Sequence, residues 1–298
     1  MGNQNKFGYA SIIGVTNVGK TTLLNQLIKC KVGITSEKPQ TTRARITGIM
    51  TKDNCQIVFV DHPGYHIPKF ELNKEMQKKA MQGFKNVDLI IMVLDCKKGI
   101  RTLDREMLEN LKNLKTKKII LLNKIDLIKK EELLPLIKEV SEILKNVEIF
   151  PISALKGTNL NLLEDTIIKE MPEGEFLFEK DQWTTQSEKF YISEIIREKI
   201  INLTKEEVPH SVAVNIEKIE ENESKNLLKI YGSIWVEKES QKPIIIGKGG
   251  KMIREIGKRA RAELENLLGC KIYLEIYVKV KEKWREDINL IKQMDEII

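Results

Sequence analysis

Through the first 171 positions, short apolar runs recur between amphipathic stretches. The runs at 9–13, 46–51, 56–60, 89–95, 118–123 and 147–152 have strand length, and stretches such as 22–28 have a helical period. Apolar strands alternating with helices predict a mostly parallel sheet with crossover helices, an α/β domain. The pattern breaks at Pro172-Glu173-Gly174-Glu175, so 172–185 is expected to be a linker. The remainder, 186–298, has another order. Residues 187–203 are helical, with Ile192, Ile195, Ile196, Lys199 and Ile200 at helical spacing. Val212, Val214 and Ile216 alternate within a strand at 211–219, and a polar turn at 221–225 leads to a strand at 227–236. Ile244-Ile245-Ile246 then runs into Gly247-Lys248-Gly249-Gly250, a basic helix ending at Leu268, a strand at 271–280 and a short helix from Arg285. This half is α+β. Neither half carries an internal repeat or a low-complexity tract.

Four of the first-half strands end in residues that carry chemistry. Gly14-Val15-Thr16-Asn17-Val18-Gly19-Lys20-Thr21 matches G-x-x-x-x-G-K-[ST], with a strand before it and a helix opening at Thr22 after it. Such a loop turns successive backbone N–H groups towards phosphate oxygens, and the helix N-terminus adds to their field. Lys20 reaches the β- and γ-phosphates, and Thr21 is placed to ligate Mg²⁺. Asp61-His62-Pro63-Gly64 is D-x-x-G: Asp61 serves the Mg²⁺ through water, and the Gly64 N–H serves the γ-phosphate. Asn123-Lys124-Ile125-Asp126 is N-K-x-D. The Asp126 carboxylate accepts from guanine N1–H and the 2-amino group, while adenine would leave it buried and unpaired. The Lys124 stem lies along the purine face. Ser153-Ala154-Leu155 supplies a backbone N–H, assigned to Ala154, for guanine O6. Together these motifs point to a protein that binds GTP and GDP.

Composition narrows the setting. With 41% apolar residues the chain can build proper cores, and no apolar run is long enough to span a membrane. The N-terminus has no signal-peptide core, and Lys6 stands where a myristoylation signal after Met1-Gly2 needs Ser or Thr. Cys30, Cys55, Cys96 and Cys270 are scattered without a C-x-x-C pair, which fits a reducing cytosol. His62 and His66 flank Pro63-Gly64 in a loop and are expected to be ordinary loop residues rather than metal ligands.

The charge of +7 is uneven: residues 1–180 hold 29 basic and 22 acidic residues, and 181–298 hold 21 of each. Inside that neutral half, however, 242–261 carries seven basic residues (Lys242, Lys248, Lys251, Arg254, Lys258, Arg259, Arg261) against Glu255 alone. The basic stretch surrounds Gly247 to Gly250, a G-x-x-G between two helices. With an αββ pattern before it and αβ after it, this is the arrangement of a type II KH domain. Glycines let a sugar-phosphate backbone approach, and unpaired bases lie in the apolar groove beside the loop. Gly247, Lys248, Gly249, Gly250, Lys251, Arg254 and Lys258 are the expected RNA-binding residues.

A P-loop GTPase domain followed by a type II KH domain resembles the Era family of bacterial ribosome-assembly GTPases. The resemblance extends to Pro39-Gln40-Thr41-Thr42-Arg43, to Ser193-Glu194-Ile195-Ile196-Arg197-Glu198-Lys199 and to Ile276-Tyr277-Val278-Lys279-Val280-Lys281. It implies slow GTP hydrolysis, binding to the 3′ end of small-subunit ribosomal RNA, and action on the maturing small subunit. It also implies a cytoplasmic monomer with peripheral contact to the inner face of the plasma membrane. By carry-over, Thr42 is the switch threonine on Mg²⁺, with Thr41 the alternative. Catalysis is then assigned to Lys20, Thr42, Asp61, Gly64 and Asn17. Asn17 stands where similar GTPases ligate K⁺; the competing role is to brace the loop. The sequence departs from the family at His62, where Thr is usual, and Tyr65 is not a water-orienting glutamine. Two other readings compete. One is a membrane-linked signalling GTPase tied to cell-cycle control, disfavoured by the missing lipidation site. The other is a hydrolase with a non-binding KH fold, opposed by the intact glycines and basic patch.

Overall fold

The computed structural model describes residues 4–38, 40–65, 72, 86–205, 208–288 and 290. Met1, Gly2, Pro39 and His66, which entered the readings above, lie outside them. The chain divides into two compact units. One is built from Met1–Gly33, Thr42–Lys69 and Asn73–Thr185, the other from Ile34–Thr41, Phe70–Leu72 and Gln186–Ile298.

The first unit is organised on a six-stranded sheet among the described residues, in the order β2-β3-β1-β4-β5-β6. The strands are β1 (Lys6–Ile13), β2 (Ile46–Lys52), β3 (Cys55–Asp61), β4 (Leu89–Asp95), β5 (Lys117–Asn123) and β6 (Glu148–Pro151). All neighbours run parallel except β2, which pairs antiparallel with β3 at the edge. Every residue of β3 and β4 is buried, as expected of strands covered on both faces. Among the described residues the longer helices are α1 (Lys20–Ile28), α2 (Thr102–Lys112), α3 (Lys130–Ile143) and α4 (Leu160–Glu170). Parallel strands place all their C-terminal ends at one edge. Gly14, Asp61, Asp95 and Asn123 therefore stand at or just past the ends of β1, β3, β4 and β5, where open α/β sheets bind ligands.

The segment expected to be a linker is docked on this unit. Phe7 N–H donates to the Pro172 carbonyl (3.1 Å), and Gly174 N–H to that of Asn5 (3.0 Å). Gln56 Oε1 accepts the N–H groups of Leu177 and Phe178, each at 3.0 Å. At the β2 edge, Ile49 N–H donates to the Trp183 carbonyl (2.9 Å) and Thr184 Oγ1 to that of Thr47 (2.6 Å). An open strand edge leaves backbone groups unpaired; here the segment satisfies those of Ile49 and Thr47.

The second unit comprises α5 (Glu188–Leu203), α6 (Val208–Ser211), β7 (Ala213–Asn222), β8 (Leu227–Val236), α7 (Lys242–Ile246), α8 (Lys251–Leu268) and β9 (Lys271–Val280). β8 pairs antiparallel with β7 and parallel with β9. Ser187 caps α5, its hydroxyl accepting the Phe190 N–H at 3.2 Å. α8 buries Ile256, Ala260 and Leu264, spaced four apart, and turns its basic residues outward. Trp284 is fully buried and donates its indole N–H to the Ser211 carbonyl (2.9 Å). The short helix α6 has no periodic signal in the sequence, and β7 begins and ends later than the 211–219 expected.

Candidate functional site

The loop between β1 and α1 is built for close contact. Gly19 has φ 98°, and a Cβ there would stand 2.4 Å from Asn123 Nδ2. Asn123 joins three motifs: its Nδ2 donates to the Val18 carbonyl (2.7 Å), and its Oδ1 accepts the N–H groups of Lys124 (2.8 Å) and Ala154 (2.9 Å). Lys124 Nζ donates to the Asn17 carbonyl (2.6 Å) and pairs with buried Asp95 (2.7 Å). Asp95 has no place in the motif reading; its signal is its position as the last residue of an apolar strand. Val15 and Val18 are buried beneath the loop, and Thr16 and Thr22 are half-buried.

Lys20 is buried and folds back over the loop, donating to the carbonyls of Gly14 (3.2 Å) and Val15 (2.9 Å). Burial pushes its ammonium pKa down, against the pull of Asp61. Burial likewise pushes the Asp61 carboxyl up to about 6, opposed by Lys20 and Thr21. Asp61 Oδ2 accepts from Thr21 Oγ1 (2.5 Å), and Thr21 Oγ1 meets Thr42 Oγ1 at 2.9 Å. Asp61 Oδ1 is buried without a hydrogen-bond partner among the described residues. Two hydroxyls and a carboxylate with an orphaned oxygen are a donor set that suits a hard divalent cation such as Mg²⁺. Thr41, the alternative, points elsewhere: its hydroxyl donates to the Lys38 carbonyl (2.7 Å).

The D-x-x-G segment closes on the loop from β3. His62 is buried, and its N–H donates to the Ile12 carbonyl (3.3 Å). Tyr65 N–H donates to the Gly14 carbonyl (3.1 Å), which brings Pro63 and Gly64 alongside. The Tyr65 hydroxyl donates to Glu106 (3.1 Å). On the base side, Ser153 Oγ donates to Asp126 Oδ1 (2.6 Å), orienting that carboxylate, and Leu155 is exposed. The Ala154 N–H, the group assigned to guanine O6, donates to Asn123 Oδ1 (2.9 Å), which ties β5 to the loop after β6.

The second unit presents a different loop. Gly249 has φ 60°, and a Cβ there would meet nothing within 4 Å among the described residues. Lys248, Lys251, Arg254 and Lys258 are all exposed. Arg254 also braces the loop, its Nη2 donating to the Gly249 carbonyl at 3.0 Å. Gly250 is the N-cap of α8, whose first N–H groups open towards the loop. Beside it lies a cavity of about 400 Å³ lined by Glu239, Lys242, Pro243, Ile246, Gly247 and Lys248.

Comparison with known proteins agrees with this geometry. Residues 9–124 match a family described as 50S ribosome-binding GTPase, and residues 207–285 match the KH domain family. A variant of Era from Aquifex aeolicus, solved with GDP·AlF4⁻, is 43% identical with a TM-score of 0.93. A structure of Era with MgGDPNP and nucleotides 1506–1542 of 16S ribosomal RNA is 44% identical, also at 0.93. Each superposition covers 98% of this chain and 99% of the other.

Proposed function

The chain belongs to the Era family of GTPases, and on that footing we propose a GTP-driven switch acting in small-subunit assembly. It binds and hydrolyses GTP, and it binds the 3′ end of small-subunit ribosomal RNA through residues 186–298. The observation that carries this is the convergence of Thr21, Thr42 and the orphaned Asp61 oxygen beside the glycine loop. Mg²⁺ held there would neutralise charge developing between the β- and γ-phosphates. Lys20 leaves its loop carbonyls for phosphate oxygens, the loop N–H groups cradle the β-phosphate, and Asp126 selects guanine. Hydrolysis yields GDP and phosphate. Tyr65 is bonded to Glu106 and offers no amide to orient water, so the intrinsic rate is slow.

The RNA assignment is supported by the open, basic Gly247–Gly250 loop and by the RNA bound to the related Era. GTP favours binding and hydrolysis favours release. The family supports a role in subunit maturation and a cytoplasmic location. Peripheral membrane contact rests on the family alone; no helix among the described residues is long and apolar enough to cross a membrane. Co-sedimentation with small ribosomal subunits tests the whole reading. Protein with a non-hydrolysable GTP analogue should pellet with the subunits and protein with GDP should pellet less; no association in either state would reject it.

A further inference from the structure

Asp95 belongs to none of the four motifs, yet it holds one of them. It is 3% exposed and is the last residue of β4, a strand buried throughout. Both carboxylate oxygens are engaged. Oδ1 accepts the Lys97 N–H (3.0 Å) and caps the turn Cys96–Lys98. Oδ2 accepts from Lys124 Nζ (2.7 Å). β4 and β5 pair with Asp95 opposite Asn123, so the carboxylate stands beside the first residue of N-K-x-D. Lys124 then takes a left-handed conformation (φ 68°), and its ammonium also donates to the Asn17 carbonyl (2.6 Å). Asn17 is left-handed as well (φ 63°). All of these residues lie in the first unit.

The charge at position 95 needs a reason. Asn caps a turn about as well as Asp, and a buried carboxylate is costly unless it is paired. A buried ion pair in turn adds little stability over apolar residues of similar volume. What the pair supplies here is geometry. A lysine carries its charge on a flexible four-carbon stem. The backbone fixes one end of that stem just past β5, and Asp95 and the Asn17 carbonyl fix the other. A left-handed residue other than glycine is strained and persists only where its surroundings hold it. The ammonium links two such residues, one in the phosphate loop and one in N-K-x-D.

We propose that Asp95 is a positioning residue for guanine nucleotides: by fixing the Lys124 ammonium it holds the lysine stem in the line along which the purine face rests. This rests on reading N-K-x-D as the guanine site. The contact lies on the base side, so its loss should weaken GTP and GDP alike and spare the chemistry at the γ-phosphate. The phosphate loop keeps its other tie, from Asn123 Nδ2 to the Val18 carbonyl.

The test compares wild type with Asp95→Ala, Asp95→Asn, Lys124→Met and the double variant Asp95→Ala with Lys124→Met. Affinities and dissociation rates are measured for GDP and for a non-hydrolysable GTP analogue, together with the single-turnover rate at saturating GTP. Asp95→Ala should bind both nucleotides about tenfold less tightly through faster dissociation, the scale of one charge-assisted hydrogen bond. Its rate at saturating GTP should stay within about twofold of wild type. Asp95→Asn, nearly isosteric and therefore informative if the alanine variant does not fold, keeps an oxygen acceptor and should lose only about threefold. Lys124→Met keeps an apolar stem without the ammonium and should lose as much as Asp95→Ala. Adding Asp95→Ala to it should cost nothing further, because the two act through one contact. Wild-type affinity in the folded Asp95 variants overturns the proposal. So do losses that multiply in the double variant, or a loss confined to the rate at saturating GTP. Wild-type protein that binds ATP as tightly as GTP would overturn the guanine reading first and the role of Asp95 with it.

Discussion

The two glycine loops, both assigned to phosphate in the proposed function, are built in opposite ways. The loop at Gly14–Thr21 is packed against its surroundings: Gly19 has no room for a single carbon, and Asn123, Lys124 and Lys20 are all bonded to its carbonyls. The loop at Gly247–Gly250 is open, with free space at Gly249 and exposed cations around it. An enclosed loop suits one small ligand of fixed shape, whose groups must all be met at once. An open loop suits a polymer that passes by and presents a repeating backbone. The difference predicts that equivalent damage will be felt very unequally.

Gly19→Ala should be the most severe change. The new carbon would collide with Asn123 at a φ of 98°, displacing both the phosphate loop and the N-K-x-D motif. GTP affinity should fall by about a hundredfold, from strain and lost contacts together. Near-normal binding, measured by titration with a fluorescent GTP, would erase the contrast between the loops.

At Gly249 the same alanine has space and meets only the strain of its φ of 60°, so RNA affinity should fall little. Gly249→Asp adds a negative charge where phosphate passes and should weaken RNA binding about tenfold, with GTP binding unchanged. Wild-type RNA affinity should also decline with salt, as Lys248, Lys251 and their neighbours release counterions. RNA binding by the aspartate variant equal to wild type would remove the loop from the interface.

The enclosed loop should also respond to pH where the open one does not. Asp61 has its pKa raised to about 6 by burial. A raised carboxyl pKa means the proton competes with the cation as pH falls through that value. Affinity for Mg²⁺·GTP should be flat above pH 7 and about fourfold weaker at pH 5.5, from the ionised fraction alone. Calorimetric titrations at the two pH values give the measurement; equal affinities would mean that Asp61 is already ionised in the free protein.

The smallest effect concerns Asn17, which adopts a left-handed φ of 63° and gives its carbonyl to Lys124. If it ligates K⁺, hydrolysis should be a few-fold faster in potassium than in sodium at equal ionic strength, and Asn17→Ala should abolish the difference. Equal wild-type rates in the two salts would leave Asn17 as a brace for the loop.

The sequence by itself determined the two-part architecture and nearly every strand of both sheets. It also singled out the residues proposed to meet phosphate, metal and guanine. These are legible because the chemistry needs them contiguous: a loop of backbone N–H groups, or a carboxylate just past a strand, is written in a few adjacent letters. Tertiary structure decided the rest. It chose Thr42 over Thr41 to face Thr21, since only the path of the backbone sets which hydroxyl points inward. It committed the Ala154 N–H to Asn123 and aimed Asp126 with Ser153. It laid 172–185 along an edge strand and set Arg197 on the Thr41 carbonyl. Each of these is a hydrogen bond between residues at least 20 apart or a choice between neighbours of equal chemistry, and no periodicity or motif records either one.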